Sequence, residues 1–154
     1  MSRLYPLLFF ALIMLAVPVE SAVSGVLTKI SEVRLKIEAH PELSALGLDK
    51  DSLKNHVLVW VRSNLPRLVV NDSAVPFLKA RVLLKERDDF VYGYLSIQIV
   101  RQVTIKIIDE PVFGAVWQKG GIVISPSQEA RVFVRESLDH LLTQFSAVWH
   151  RDNP

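Results

Sequence analysis

Between Phe77 and Ile124 the chain is dominated by β-branched, aromatic and other apolar residues, broken by turn-forming clusters at Arg87-Asp88-Asp89 and Asp109-Glu110-Pro111. Branching at Cβ restricts χ1 in a helix and suits a pleated surface, so this stretch specifies a sheet. Phe77 to Glu86 and Tyr92 to Ile108, on either side of the first break, read as the arms of an antiparallel hairpin. In the second arm Leu95, Ile97, Ile99, Val103, Ile105 and Ile107 share one parity. Its length exceeds the usual strand of about 5 or 6 residues, which predicts a bend or bulge near Val100 to Gln102. Arg101 falls on the apolar parity and is the anomalous charge of the strand. A buried guanidinium needs a partner, whereas a bend that turns it to solvent removes the anomaly. After Asp109-Glu110-Pro111, Val112 to Gln118 forms a further strand ending at Gly120-Gly121, and Ile122 to Ile124 extends it past a glycine kink.

The flanking segments supply what covers such a sheet. Val33, Leu35, Ile37 and Ala39 alternate with Arg34, Lys36 and Glu38, a half-buried strand that His40-Pro41 stops. Asp49 is placed to cap a helix, with Leu48 and Leu53 as its staple, and Leu53, Val57, Trp60 and Val61 form its apolar stripe as far as Asn64. Arg67 to Val70 reads as a short strand. Ser125-Pro126-Ser127-Gln128 has the form of a capping box with proline at the first helical position. Val134, Leu138, Leu141, Phe145 and Val148 then make a stripe down a closing helix. The order β-α-β-β-β-β-α predicts an α+β fold in two layers, a mostly antiparallel sheet covered by two helices.

The first 21 residues stand apart. Met1-Ser2-Arg3 is a short positive head, Leu7 to Val17 an unbroken apolar run, and Pro18-Val19-Glu20-Ser21 a small-residue exit, the layout of an export signal. The apolar run is too short for a bilayer, which needs about 20 such residues. Val19 and Ser21 favour cleavage before Ala22, leaving residues 22 to 154 as a single domain of periplasmic or secreted address. With no cysteine in the chain, a lipoprotein anchor is excluded and no permanent membrane anchor is expected. The domain must also hold itself together without disulfides. The net charge of +2, with no basic run, offers no footprint for nucleic acid.

Catalytic signatures are missing. The sequence contains no Gly-x-Ser-x-Gly elbow, no His-Glu-x-x-His, no phosphate loop and no dinucleotide fingerprint. Asp49-Lys50-Asp51 opens like a calcium loop, but Leu53 and Lys54 occupy positions that need an oxygen ligand and a glycine. Glu136, Asp139 and His140 share a helical turn yet lie off the apolar stripe, as a solvated face would. No catalytic residue, metal or cofactor is therefore expected. Trp117, Lys119, Gly120 and Gly121 are the expected partner contact, an aromatic beside a flexible, cationic stretch of strand.

Gly47-Leu48 before a capped helix, Val61-Arg62-Ser63-Asn64-Leu65-Pro66 at its close, Gln102-Val103, Trp117-Gln118-Lys119-Gly120 and a terminal Asn153-Pro154 together resemble a loosely defined set of small bacterial periplasmic proteins. More remotely, a helix leading into a short strand and then long strands is similar to the amino-terminal domain of TolB and to curli-secretion-type envelope-assembly modules. The resemblance brings no activity or catalytic residue with it. Export, the absence of a reactive motif and long strands able to present an edge or a second face point instead to a non-catalytic binding or assembly module of the bacterial cell envelope, with an envelope protein or a second copy as partner. The alternative expectations are a binder of a small apolar ligand between sheet and helix, or an enzyme of unrecognised type. Intact mass of the exported form should correspond to a chain beginning at Ala22 or within two or three residues of it. A mass retaining Met1 to Ser21 would refute the signal.

Overall fold

The computed structural model describes residues 25–105 and 110–154. The export signal and its cut site lie outside the described residues, as do Lys106 to Asp109. Strand β1 (Glu32–Ala39) leads through a 3₁₀ turn at Pro41–Leu46 into helix α1 (Lys50–Asn64); β2 (Val69–Val70), β3 (Phe77–Arg87), β4 (Phe90–Ile105) and β5 (Glu110–Pro126) follow, and α2 (Ala130–Asp152) closes the chain. The sheet order is β2-β1-β3-β4-β5, parallel between β1 and its two neighbours and antiparallel from β3 to β5. This is the α+β arrangement that the alternation predicts, with both helices on one face. Among the described residues no helix is long and apolar enough to cross a membrane.

Parity decides which face is covered. Leu35 and Ile37 of β1, Leu78, Val82 and Leu84 of β3, and Leu95, Ile97 and Ile99 of β4 are buried beneath the stripes Leu53, Val57, Val61 of α1 and Val134, Leu138, Leu142, Phe145, Trp149 of α2. Asp49 caps α1 as expected, accepting from the backbone N–H groups of Asp51 (3.1 Å) and Ser52 (2.9 Å). Leu48 and Leu53 are both buried.

Two local expectations need correction. Ser125 and Pro126 do not begin α2; they pair with Val91 and Phe90 at the end of β5, and Ser127 N–H donates to the Asp89 carbonyl at 2.8 Å. The helix starts only at Ala130, with Glu129 at its N-cap and no side-chain cap. Continuing the ladder, together with burial of Ser125, outweighs a cap that contributes about 1 kcal/mol. The irregularity predicted in β4 lies instead in its partner. Ile99 faces Trp117 while Val100 faces Ala115, which leaves Val116 as the extra residue of a bulge in β5. β5 then runs unbroken through Gly120-Gly121.

The β3–β4 turn is tight because Asp88 and Asp89 both adopt positive φ (52° and 63°), a conformation that aspartate tolerates better than most residues. Further along β4, Gly93 stands opposite Leu84 with φ 154°, where a Cβ would overlap the Leu83 carbonyl oxygen.

The ends of the domain are clasped by polar bonds. Asp152, at the end of α2, accepts from Leu27 N–H at 3.0 Å. Asn153 accepts from Lys29 N–H and donates to the Leu27 carbonyl. Trp149 Nε1 donates to the Ile30 carbonyl at 2.9 Å. Burial pushes the Asp152 carboxyl up, but hydrogen bonds from the N–H of Leu27, the Arg151 guanidinium and the N–H of Gly25 outweigh it, so the group is held below the usual aspartate value.

Gly93→Ala should destabilise the domain by about 3 kcal/mol or more, since the backbone itself must move; an unchanged urea midpoint would refute the close approach. Because the folded Asp152 carboxyl titrates below its unfolded value, its contribution is present above about pH 4 and is lost as pH falls through the folded value. Asp152→Asn should therefore cost about 1 to 2 kcal/mol at neutral pH and flatten the acid limb of the stability profile. Parallel acid limbs in the two proteins would contradict this.

Candidate functional site

The face of the sheet turned away from the helices is where the sequence leaves something over. In strict alternation β3 presents Phe77, Lys79, Arg81, Leu83, Lys85 and Arg87 there. The register sets Lys85 beside Tyr92 and Ile124, Leu83 beside Tyr94 and Ile122, and Arg87 beside Phe90 and Pro126. β1 adds Arg34, Lys36 and Glu38 on the same face. Next to the β3–β4 turn the rungs thus run from a cation on β3 (Lys85, Arg87) to a ring on β4 and an apolar side chain on β5, while the β1 cations lie toward the other end, on the rungs of Phe77 and Lys79. Five large hydrophobic residues stay exposed on it: Phe90, Tyr92, Phe113, Ile122 (69%) and Ile124 (57%). An apolar set of this size on one face is the feature that needs an explanation.

Neighbouring groups fix the face. Glu38 takes Lys79 Nζ at 2.6 Å and Arg81 Nε at 3.0 Å. The Lys79 hydrogen bond, helped by both cations against partial burial, holds its carboxyl below the usual glutamate value. At one end Arg34 lies 4.4 Å and Lys36 5.7 Å from the centre of the Phe77 ring, which meets Phe113 at 5.5 Å; such cation–π contacts hold the long side chains along the sheet. At the centre Gln98 Nε2 donates to Gln118 Oε1, and Gln118 Nε2 donates to the Tyr94 hydroxyl, each at 3.0 Å. A Cβ at Gly120 would crowd that hydroxyl, the Ser96 side chain and the Leu95 carbonyl alike, so glycine is what leaves room for the Tyr94 hydroxyl there.

The residues singled out from the sequence do not form one contact. Trp117 is only 7% exposed and packs its ring on Phe145 of α2 at 5.5 Å, so it belongs to the core and presents no rim to a partner. Lys119, Gly120 and Gly121 are half-buried on β5, which among the described residues forms one edge of the sheet. Arg101 is half-buried as well, opposite Gly114 and beyond the rung of Phe77 where β3 begins. The anomaly has a simple cause: among the described residues the sheet there is two strands wide.

The helical polar residues regroup across space. Glu136 and His140 are exposed, and His140 meets Gln144 at 2.8 Å. Asp139 pairs instead with His56 Nε2 of α1 at 2.7 Å, while Arg135 donates to the Ser52 hydroxyl at 2.9 Å. These two contacts tie α1 to α2. The hydroxyl of Ser52 is already held by Arg135 and donates to the Gly47 carbonyl, and among the described residues no nucleophile is hydrogen-bonded to the His56–Asp139 pair. Among the described residues no three His, Cys, Asp or Glu side chains converge on a metal position. Between β5 and α2 a cavity of about 20 Å³ is lined by Leu95, Gly121, Val123, Phe133 and Leu141. That is room for about one water, against several hundred Å³ for a small-molecule site.

No family model, curated protein or solved structure matches the chain.

Proposed function

We propose that this chain is a non-catalytic binding or assembly module of the bacterial cell envelope, and that it holds a polypeptide partner by strand addition along β5. The observation that carries the reading is a long edge strand with Ile122 and Ile124 exposed on it. An edge leaves backbone donors and acceptors unpaired, and an added strand satisfies them while its alternate side chains cover the exposed ones.

Other features of β5 narrow the pairing window. Pro111, the bulge at Val116 and Pro126 each interrupt a ladder on the free side, so the uninterrupted stretch is Trp117 to Ser125, ample for an ordinary strand. Lys119 within it suits a carboxylate on the incoming strand. The partner contact expected at Lys119-Gly120-Gly121 is thus kept as a backbone contact, with Ile122 and Ile124 replacing Trp117 as its apolar anchors. The envelope address rests on the export signal in residues 1 to 21. The small cavity between β5 and α2 favours a polypeptide over a small apolar ligand.

Because the chain has no cysteine, Ile122→Cys introduces a unique thiol. In the native envelope it should crosslink to a discrete partner or to a second copy, and adding Ile124→Lys should reduce the product by at least about tenfold. A control thiol at the exposed Val132 of α2 should give no such product. Equal crosslinking from both positions, or none from Ile122→Cys, would sink the reading.

A further inference from the structure

Beyond the β5 edge, the open face of the sheet has a charge pattern of its own. Six cations, Arg34, Lys36, Lys79, Arg81, Lys85 and Arg87, share it with two strand carboxylates, Glu32 and Glu38. Both carboxylates are engaged, Glu32 by Asn71 Nδ2 at 2.9 Å and Glu38 by Lys79 and Arg81. Arg87 is partly offset by Asp88 on the turn, at 3.3 Å. Lys36 and Lys85 are exposed and form no ion pair among the described residues. The whole chain carries only +2, so this face concentrates positive charge that the rest of the molecule offsets.

We propose that this face docks reversibly on an anionic lipid surface. Charge complementarity selects an anionic occupant, and the apolar half of the same face selects a bilayer. A soluble polyanion would satisfy the cations and leave Phe90, Tyr92 and Phe113 in water. The headgroup–acyl boundary takes both, since phenyl and phenol rings settle there while lysine and arginine reach the phosphates. The dimensions agree. At roughly 4.8 Å per strand, Lys85 and Arg87 stand about 10 Å from the apolar β5 side chains of their own rungs and closer still to the rings of Tyr92 and Phe90. At the other end Arg34 and Lys36 lie beside Phe77 and Phe113, so both ends of the face carry cations next to apolar groups. Side chains need enter only about 5 to 10 Å, which leaves the strand backbones among hydrated headgroups.

The test is co-sedimentation of the mature protein with vesicles of phosphatidylglycerol or phosphatidylcholine, at low and high salt. Phosphatidylglycerol vesicles should bind it, phosphatidylcholine vesicles should not, and salt should weaken the binding. Lys36→Glu with Lys85→Glu should lower the partition at least about tenfold, each basic residue near an anionic surface contributing roughly fivefold. Phe90→Ser with Phe113→Ser should lower it by a similar factor. All four substituted residues are exposed or at the rim of the face, and an unchanged thermal midpoint confirms folding. Absence of binding to phosphatidylglycerol, equal binding to phosphatidylcholine, or retention by the charge variant would overturn the proposal. So would capture by soluble poly-L-glutamate that is as tight as vesicle binding and indifferent to the phenylalanine variant. Ile122 and Ile124 are untouched in both variants, so failure here leaves the strand-addition reading standing, and failure of the Ile122→Cys crosslink leaves this one standing.

Discussion

The packing of α2 across β4 and β5 is the contact on which the rest of the fold depends. Phe145, fully buried, sits on Trp117, and the stripe from Val134 to Trp149 seals the helix side of the two longest strands. With no disulfide to restrain the unfolded chain, burial of this apolar surface and of the α1 stripe over β1 carries the stability. Both helices are committed to one face, and the described residues contain no third element to cover the other. The open face is a consequence of this layer count. Its cations, its amide and hydroxyl network at Gln98, Gln118 and Tyr94, and the bridge at Glu38 keep it ordered in water without a covering layer. The apolar side chains that remain exposed there are the ones that no packing demand inside the domain explains.

The clasp between the end of α2 and residues 27 to 30 completes the two-layer arrangement. Trp149, Asp152 and Asn153 bond mainly to backbone groups of that segment, so they fix its path whatever side chains it carries. Arg67 reinforces the clasp by donating to the carbonyls of Asn153 and Pro154 and by stacking over the Trp149 ring. Residues far apart in sequence are thereby joined at one end of the domain, away from the β3–β4 turn.

Much of the fold was legible because its determinants are local. Alternation from Val33 to Ala39, the Asp49 cap, the break at Asp88-Asp89 and the stripe of α2 each specify an element within about a dozen residues. Ser125-Pro126-Ser127-Gln128 obeys the local rules for a helix start, yet the partner strand keeps Ser125 and Pro126 extended; competition between a cap and a ladder is invisible until the strands are paired. The His56–Asp139 contact spans two helices, and no spacing rule could join them. The open face was hidden for a related reason. The parity of Lys79, Arg81, Lys85 and Arg87 stands in the sequence, but only the register across the two-residue turn places Lys85 beside Tyr92 and Ile124 and Arg87 beside Phe90. An aromatic beside Gly-Gly suits a partner contact, but the parity of Trp117, shared with Ile99 across the ladder, sends it inward.

Hydrogen exchange of the isolated protein, resolved residue by residue along β4 and β5, tests most directly whether the domain is sealed on one side and open along its edge. In an edge strand, alternate N–H groups point away from the sheet and have no ladder partner. From Trp117 to Ser125, every second amide should therefore exchange close to the rate of an unprotected one, while the amides of Leu95 to Ile99 exchange only on global unfolding. Uniform protection along β5, equal to that of β4, would contradict the account, because it would mean that the edge is already covered.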